Sequence, residues 1–264
     1  MTVIPQGRHG RRAALLGAAC AGLVVAGAGL TGCGSGDDED AGTNGVGKLS
    51  AQQIQSKSRA AAQAASSVRL SGSLVSKGHT YKLDMRLKDD GGTGSVTSKG
   101  QTFRLLRVGE ELYLKADSEF WSHQDGQGGQ GGGKGESAGS PSDSTAAAKL
   151  DGKYVKVPKG DPSYEQLSGF TDKDVLLAGM LTLHGELATG DRGETAGTPT
   201  IKITGDDGSG GTLNVSLNGK PYPLLLERAG GAGTLQLADW NKDFALKEPD
   251  KSEMVDYGKQ LPTS

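Results

Sequence analysis

Tyr81-Lys82-Leu83-Asp84-Met85-Arg86-Leu87-Lys88 alternates apolar and charged residues without a break. Successive side chains of a strand point to opposite faces, so Tyr81, Leu83, Met85 and Leu87 share one side. Lys82, Asp84, Arg86 and Lys88 share the other. A strand with one apolar and one solvated face belongs in an antiparallel sheet, because parallel sheets are buried on both faces. Upstream, Val68–Leu74 reads as the hairpin partner across Lys77-Gly78, and Asp89-Asp90-Gly91-Gly92 reads as the next turn. Gly94–Ser98, Thr102–Arg107 and Glu111–Ala116 continue the pattern, with turns at Lys99-Gly100 and Gly109-Glu110. Short strands at roughly ten-residue spacing describe a meander.

Helical signals flank this run. Ser50 and Gln53 have the spacing of a capping box and open an alanine-rich helix. Its stripe of Ile54, Ala61, Ala62, Ala65 and Val68 is small enough to lie flat and close on whatever it packs against. A second capping box, Thr171-Asp172-Lys173-Asp174, opens a buried helix over Val175–Leu183, with Val175, Leu176, Met180 and Leu183 on its stripe. Between them lies a glycine-rich stretch, Gln124–Ala147, read as a disordered surface insertion because it holds no large apolar residue. Gly133-Lys134 is followed by Gly135 and not by Ser or Thr, so it is no phosphate loop. Strands resume at Lys153–Pro158, Thr200–Thr204 and Thr212–Leu217. Asn218-Gly219 turns the chain into Tyr222–Arg228, which Pro221 and Pro223 place at an edge. Gly233–Ala238 follows, and Glu248–Val255 reads as a short terminal turn. The fold class is α+β.

The N-terminus is read by export logic. Arg8, Arg11 and Arg12 precede an apolar run, Ala13–Leu30, which ends in Leu30-Thr31-Gly32-Cys33. This is the pattern of a lipoprotein signal peptide, residues 1–32, cleaved before a lipidated Cys33. Two acyl chains of palmitate type, carried on Cys33, suffice for stable anchoring. That places the protein on the extracytoplasmic face of the cell membrane. Arg11-Arg12 is not followed by Phe-Leu-Lys, which favours general secretion over the twin-arginine route. Residues 33–48 are polar and read as a flexible tether. Residues 49–264 read as a single domain.

The chain has 264 residues and a formal charge of −2, which becomes −5 once residues 1–32 are removed. That balance gives no composition-level footprint for nucleic acid or an anionic surface. The two cysteines, Cys20 and Cys33, are consumed by export and lipidation, leaving no thiol for a disulfide or a metal. His79, His123 and His184 lie far apart, and there is no His-Glu-x-x-His and no Ser-x-x-Lys. His184-Gly185-Glu186 opens a zinc-deaminase signature whose cysteine half is missing. Asp89-Asp90 and Asp206-Asp207 sit beside glycines, as turn residues do. The sequence therefore predicts no enzyme and no cofactor, and it sets no oligomeric state.

Taken together, the lipobox cysteine, the tether, the alanine-rich helix, the strand run, Leu112-Tyr113-Leu114, Lys153–Pro158 and Trp240–Phe244 through Pro249 resemble the actinobacterial LppX/LprAFG-type lipoproteins of the LolA-like superfamily. The resemblance implies a curved antiparallel half-barrel with helices on its concave face, where acyl chains of a lipid ligand can lie. On that expectation Leu83, Met85, Leu87, Phe103 and Leu105 from strands, with Leu176, Leu177 and Met180 from a helix, line an apolar site. The alternative is a surface interaction or sensor module of the cell envelope, with the same residues packed into a solid core.

Overall fold

The computed structural model describes residues 40–123 and 147–256. They lie within one compact unit. Among the described residues, twelve strands form a single open sheet. In chain order these are β1 (Ser67–Ser76), β2 (His79–Lys88), β3 (Gly91–Ser98), β4 (Gln101–Val108), β5 (Glu111–Lys115), β6 (Tyr154–Val157), β7 (Leu187–Thr195), β8 (Thr198–Gly205), β9 (Thr212–Ser216), β10 (Pro223–Glu227), β11 (Gly233–Ala238) and β12 (Met254–Val255). The spatial order is β12-β6-β5-β4-β3-β2-β1-β11-β10-β9-β8-β7, so β12 and β7 are free edges and the sheet is not closed into a barrel. Every neighbouring pair is antiparallel except β12 on β6. Two meanders, one from each half of the chain, meet where β1 pairs with β11.

Helices α1 (Ala51–Gln63), α2 (Ser118–His123), α3 (Tyr164–Gly169) and α4 (Lys173–Met180) accompany the sheet, and residues 147–150 are helical as well. Ser50 caps α1 as expected, with the Gln53 side chain returning to the Ser50 amide. The cap of α4 is Asp172 and not Thr171. Its carboxylate accepts from the Val175 amide at 2.9 Å, and its extended backbone suits an N-cap. The Thr171 hydroxyl instead donates to the Ser168 carbonyl. Val175, placed on the buried stripe by the sequence, is 61% exposed. The cap, and with it the helix start, lies one residue later than the Thr171 reading gives, and the inward stripe is Lys173, Leu177 and Met180, spaced four and three residues apart.

Other expectations are corrected for clear reasons. Gly91 and Gly92 are the first residues of β3, and the turn is Asp89-Asp90 alone. β10 is an interior strand between β9 and β11. Pro223 is tolerated because it is the first strand residue, next to a register shift. The expected tether is structured from Asp40 onward. The Asn44 amide donates to the Leu217 carbonyl at 2.7 Å, Val46 is buried, and Asp40 pairs with Arg192. Arg192 holds the Asp40 carboxyl below its usual pKa by a side-chain hydrogen bond. Residues 34–39 and most of the glycine-rich insertion lie outside the described residues.

The terminal segment is a strap across the outer face and not a short turn. The Asn241 side chain accepts from the Ser66 amide, and Asp243 pairs with Lys88 at 2.6 Å. Beyond them Lys88 lies over the Phe244 ring at 5.1 Å, and the Lys153 ammonium donates to the Ser252 carbonyl at 2.9 Å. β12 then adds to the β6 edge. Tyr113 is buried on the outer face beside this strap. Burial first, then the Glu248 and Glu111 carboxylates, push its hydroxyl above the ordinary tyrosine pKa.

Candidate functional site

Strand register collects the predicted lining residues on one face. Leu70, Met85, Gly94, Leu105, Leu114 and Val155 are successive cross-strand partners. A parallel row holds Leu87, Gly92, Arg107 and Leu112, and a third holds Leu83, Val96 and Phe103. The glycines of β3 make this face dense. A Cβ on Gly94 would lie 2.6 Å from the Met85 sulfur and 2.1 Å from the Asp84 carbonyl oxygen. A Cβ on Gly92 would lie 2.6 Å from Leu87 Cδ2. Met85 and Leu87 therefore spread across β3, where any side chain would exclude them.

Helices roof the same side of the sheet: α2 packs on β4, while α1 lies over the other half, on β7, β8 and β10, and against α4. α1 buries Ala51, Ile54, Ser58 and Ala62, and α4 buries Leu177 and Met180. Leu83, Met85, Leu87, Leu105, Leu177 and Met180 are all buried in one cluster, while Phe103 and Leu176 are half-buried against it. Phe103 meets Phe120 of α2 at 5.5 Å between ring centroids. The structure thus brings the predicted residues together as parts of one apolar layer.

Cations fix the roof to the sheet. Lys173 is 2% exposed and donates to the Ala65 carbonyl at 2.5 Å, just past the end of α1, while pairing with Asp89 at 2.5 Å. A cation there also suits the negative end of the helix dipole. Arg107 reaches the Thr171 carbonyl at 2.9 Å and the Thr171 hydroxyl at 3.1 Å. The Leu183 amide donates to the Gln55 side chain at 2.9 Å. Sequence reading missed Lys173 and Arg107, since a cation at either position reads equally well as surface.

Two buried polar atoms have no hydrogen-bond partner among the described residues: Ser58 Oγ and Trp121 Nε1. Ser58 lies on the inward side of α1 in the same stripe as Ile54 and Ala62. Met180 borders a recess of about 50 Å³, shared with Leu183, His184 and Leu226. That is room for water and not for an acyl chain. Larger hollows, of about 290 and 500 Å³, lie on the opposite, polar face of the sheet.

Among the described residues no group of three or more His, Cys, Asp or Glu could hold a metal ion. Asp206 and Asp207 adopt positive φ in a turn, where Asp206 accepts from the Glu186 amide at 2.7 Å. Gly135-Glu136-Ser137-Ala138-Gly139 has the spelling of a nucleophile elbow. It stands amid glycine and serine without the strand and helix patterns an elbow requires, and it lies outside the described residues. Cys33 lies outside them as well.

No family model and no curated protein matches the chain. Among solved structures it is similar to LprF from Mycobacterium bovis, with 15% identity and a TM-score of 0.48 over 75% of this chain and 96% of that one. It is also similar to lipoprotein LppX from Mycobacterium tuberculosis, with 16% identity and a TM-score of 0.43 over 75% and 98%. An uncharacterized conserved protein from Thermus thermophilus matches at 10% identity and a TM-score of 0.35 over 78% and 98%. The resemblance to LppX/LprAFG-type lipoproteins is met in the first two. At these identities, and with TM-scores below 0.5, it says nothing of ligand or partner.

Proposed function

We propose that the chain is a membrane-anchored extracytoplasmic lipoprotein that binds the acyl part of a lipid between the sheet and its helical roof. Residues 1–32 act as the signal peptide and Cys33 as the lipidated anchor. The sequence pattern Leu30-Thr31-Gly32-Cys33 supports the anchor. The observation that carries the ligand reading is the construction of the roof. An aliphatic layer spanning several strands is covered by α1 through small side chains, with the buried, unpartnered Ser58 hydroxyl at its centre. A buried hydroxyl without a partner costs about 1–3 kcal/mol. The roof is therefore held less tightly at Ser58 than a wholly apolar stripe would hold it, and lifting it supplies volume that the small recess at Met180 lacks. No step in this reading needs catalysis.

The test is native mass spectrometry of the full-length lipidated protein, released from membranes in a mild detergent. The expected result is the protein mass plus a co-purifying lipid, lost from a Leu177→Arg variant that still folds. A second reading, a surface module with a solid core, is favoured by the 50 Å³ size of the recess. It predicts the bare protein mass, and loss of a protein partner on deletion of residues 124–146.

A further inference from the structure

The outer face of the sheet carries a site of a different kind. Cross-strand pairing aligns Asp84, Ser95, Arg104, Lys115 and Tyr154 in one row. The next row holds Arg69, Arg86 and Thr93. These rows enclose a trough of about 290 Å³. Its floor is short, because β3 contributes only Thr93, Gly94 and Ser95 there. Arg86 on β2 and Arg104 on β4 flank that floor, and Tyr154 stands at one end.

The charges are not balanced within the trough. Arg69 is engaged by Asp84 through two hydrogen bonds, at 2.9 and 2.8 Å. The nearby Asp239 is engaged by Lys242 at 2.7 Å. Arg86 and Arg104 are both exposed, and neither makes a hydrogen bond or ion pair among the described residues, although the Asp84 and Asp239 carboxylates lie within electrostatic reach of Arg86. Lys115 lies over the Tyr154 ring at 5.0 Å and adds a further cation. The chain as a whole is acidic, at −2, so composition conceals this local excess of positive charge.

The geometry selects among anions. Neighbouring strands are about 4.8 Å apart, so side chains on β2 and β4 rise roughly 10 Å from each other across β3. A planar carboxylate is satisfied by one guanidinium. A tetrahedral phosphate can offer separate oxygens to two guanidiniums and to hydroxyls beneath it. We propose that this trough binds a phosphate group, with Arg86 and Arg104 as its walls, the Thr93 and Ser95 hydroxyls as its floor, and Tyr154 against whatever carries the phosphate.

The site faces away from the apolar layer, so it stands or falls independently of the lipid-binding reading. The test uses the full-length protein in non-ionic detergent micelles. Inorganic phosphate and glycerophosphoglycerol, a soluble phosphodiester, are titrated separately while arginine side-chain NMR shifts are followed. The expected result is saturable binding of one or both at roughly millimolar concentration, since few contacts are made. Added salt should weaken it. Preference for the diester identifies a lipid-headgroup source, and preference for inorganic phosphate identifies a free one. The Arg86→Gln/Arg104→Gln double variant should bind about tenfold or more weakly, as loss of charge-assisted pairs requires. Ser95→Leu fills the floor without removing a charge and should block binding; it decides the matter if the double variant fails to fold. Absence of saturation with both probes, or unchanged affinity in a folded double variant or in Ser95→Leu, overturns the proposal.

Discussion

Arg104 and Leu105 are neighbours on β4 and face different worlds. Leu105 is fully buried between Gly94 and Leu114 on the roofed side of the sheet. Arg104 stands exposed on the other side, opposite Ser95 and Lys115. Arg107, further along the strand, sharpens the contrast. It is a cation on the roofed side, and there its guanidinium is provided with the Thr171 carbonyl and hydroxyl, the Gly109 carbonyl and, at 3.7 Å, Asp172. The roofed face holds this charge with a partner on each of its three nitrogens, because an unmet buried charge is costly. The outer face imposes no such condition, so Arg86 and Arg104 can remain available to a ligand.

The comparison is broken or sharpened first by substitution of the two neighbours. Leu105→Ala should destabilise the protein by about 3 kcal/mol, as large-to-small changes in a dense core do. Arg104→Gln should change stability by no more than about 0.5 kcal/mol, as an exposed position without partners should. Urea denaturation of both variants checks this. Equal losses would mean that the outer face is as structural as the core, and would remove the argument for a free Arg104.

A smaller effect is expected at Lys173. Lys173→Met keeps the bulk and removes the ammonium that satisfies the Ala65 carbonyl. The lost partner of a buried carbonyl should cost about 2 kcal/mol. Asp89 adds little to that loss, because it is 73% exposed and regains water. Hydrogen exchange should quicken in the last turn of α1 while the centre of the sheet stays protected. Unchanged exchange would show that the roof is held by apolar contact alone.

Much of the fold is legible in sequence where one residue's pattern determines its own position. The alternation from Tyr81 to Lys88 places β2, and Ser50 with Gln53 places the start of α1. β7 carries no such pattern. Leu-Ala-Thr-Gly-Asp-Arg-Gly-Glu-Thr is mostly exposed at a sheet edge, so no core face imposes alternation on it. Gly91 and Gly92 are unreadable for a different reason: Gly92 serves Leu87 on another strand, and a glycine's use by its neighbour leaves no mark on local sequence. Residues 40–48 look like linker because their attachment runs through Asn44 and Asp40 to distant Leu217 and Arg192. The apolar layer could be drawn from hydrophobicity alone. The outer trough could not, since Arg86, Ser95 and Arg104 come together only through the register of β2, β3 and β4.

The finest test lies in α1. Ser58 occupies a position where the stripe calls for a small apolar residue, between Ile54 and Ala62. Its hydroxyl is buried and without a partner among the described residues. Ser58→Ala removes that unmet group and adds helix propensity, so the protein should gain about 1 kcal/mol. A rise in the denaturation midpoint at constant slope would show it. The same change should lower lipid occupancy in native mass spectrometry, because a roof relieved of that unmet group is harder to lift. A loss of stability would reverse the inference: the hydroxyl would then have a partner that holds the roof down, and the weak point of the roofed face would have to lie elsewhere, with the Trp121 indole the next place to look.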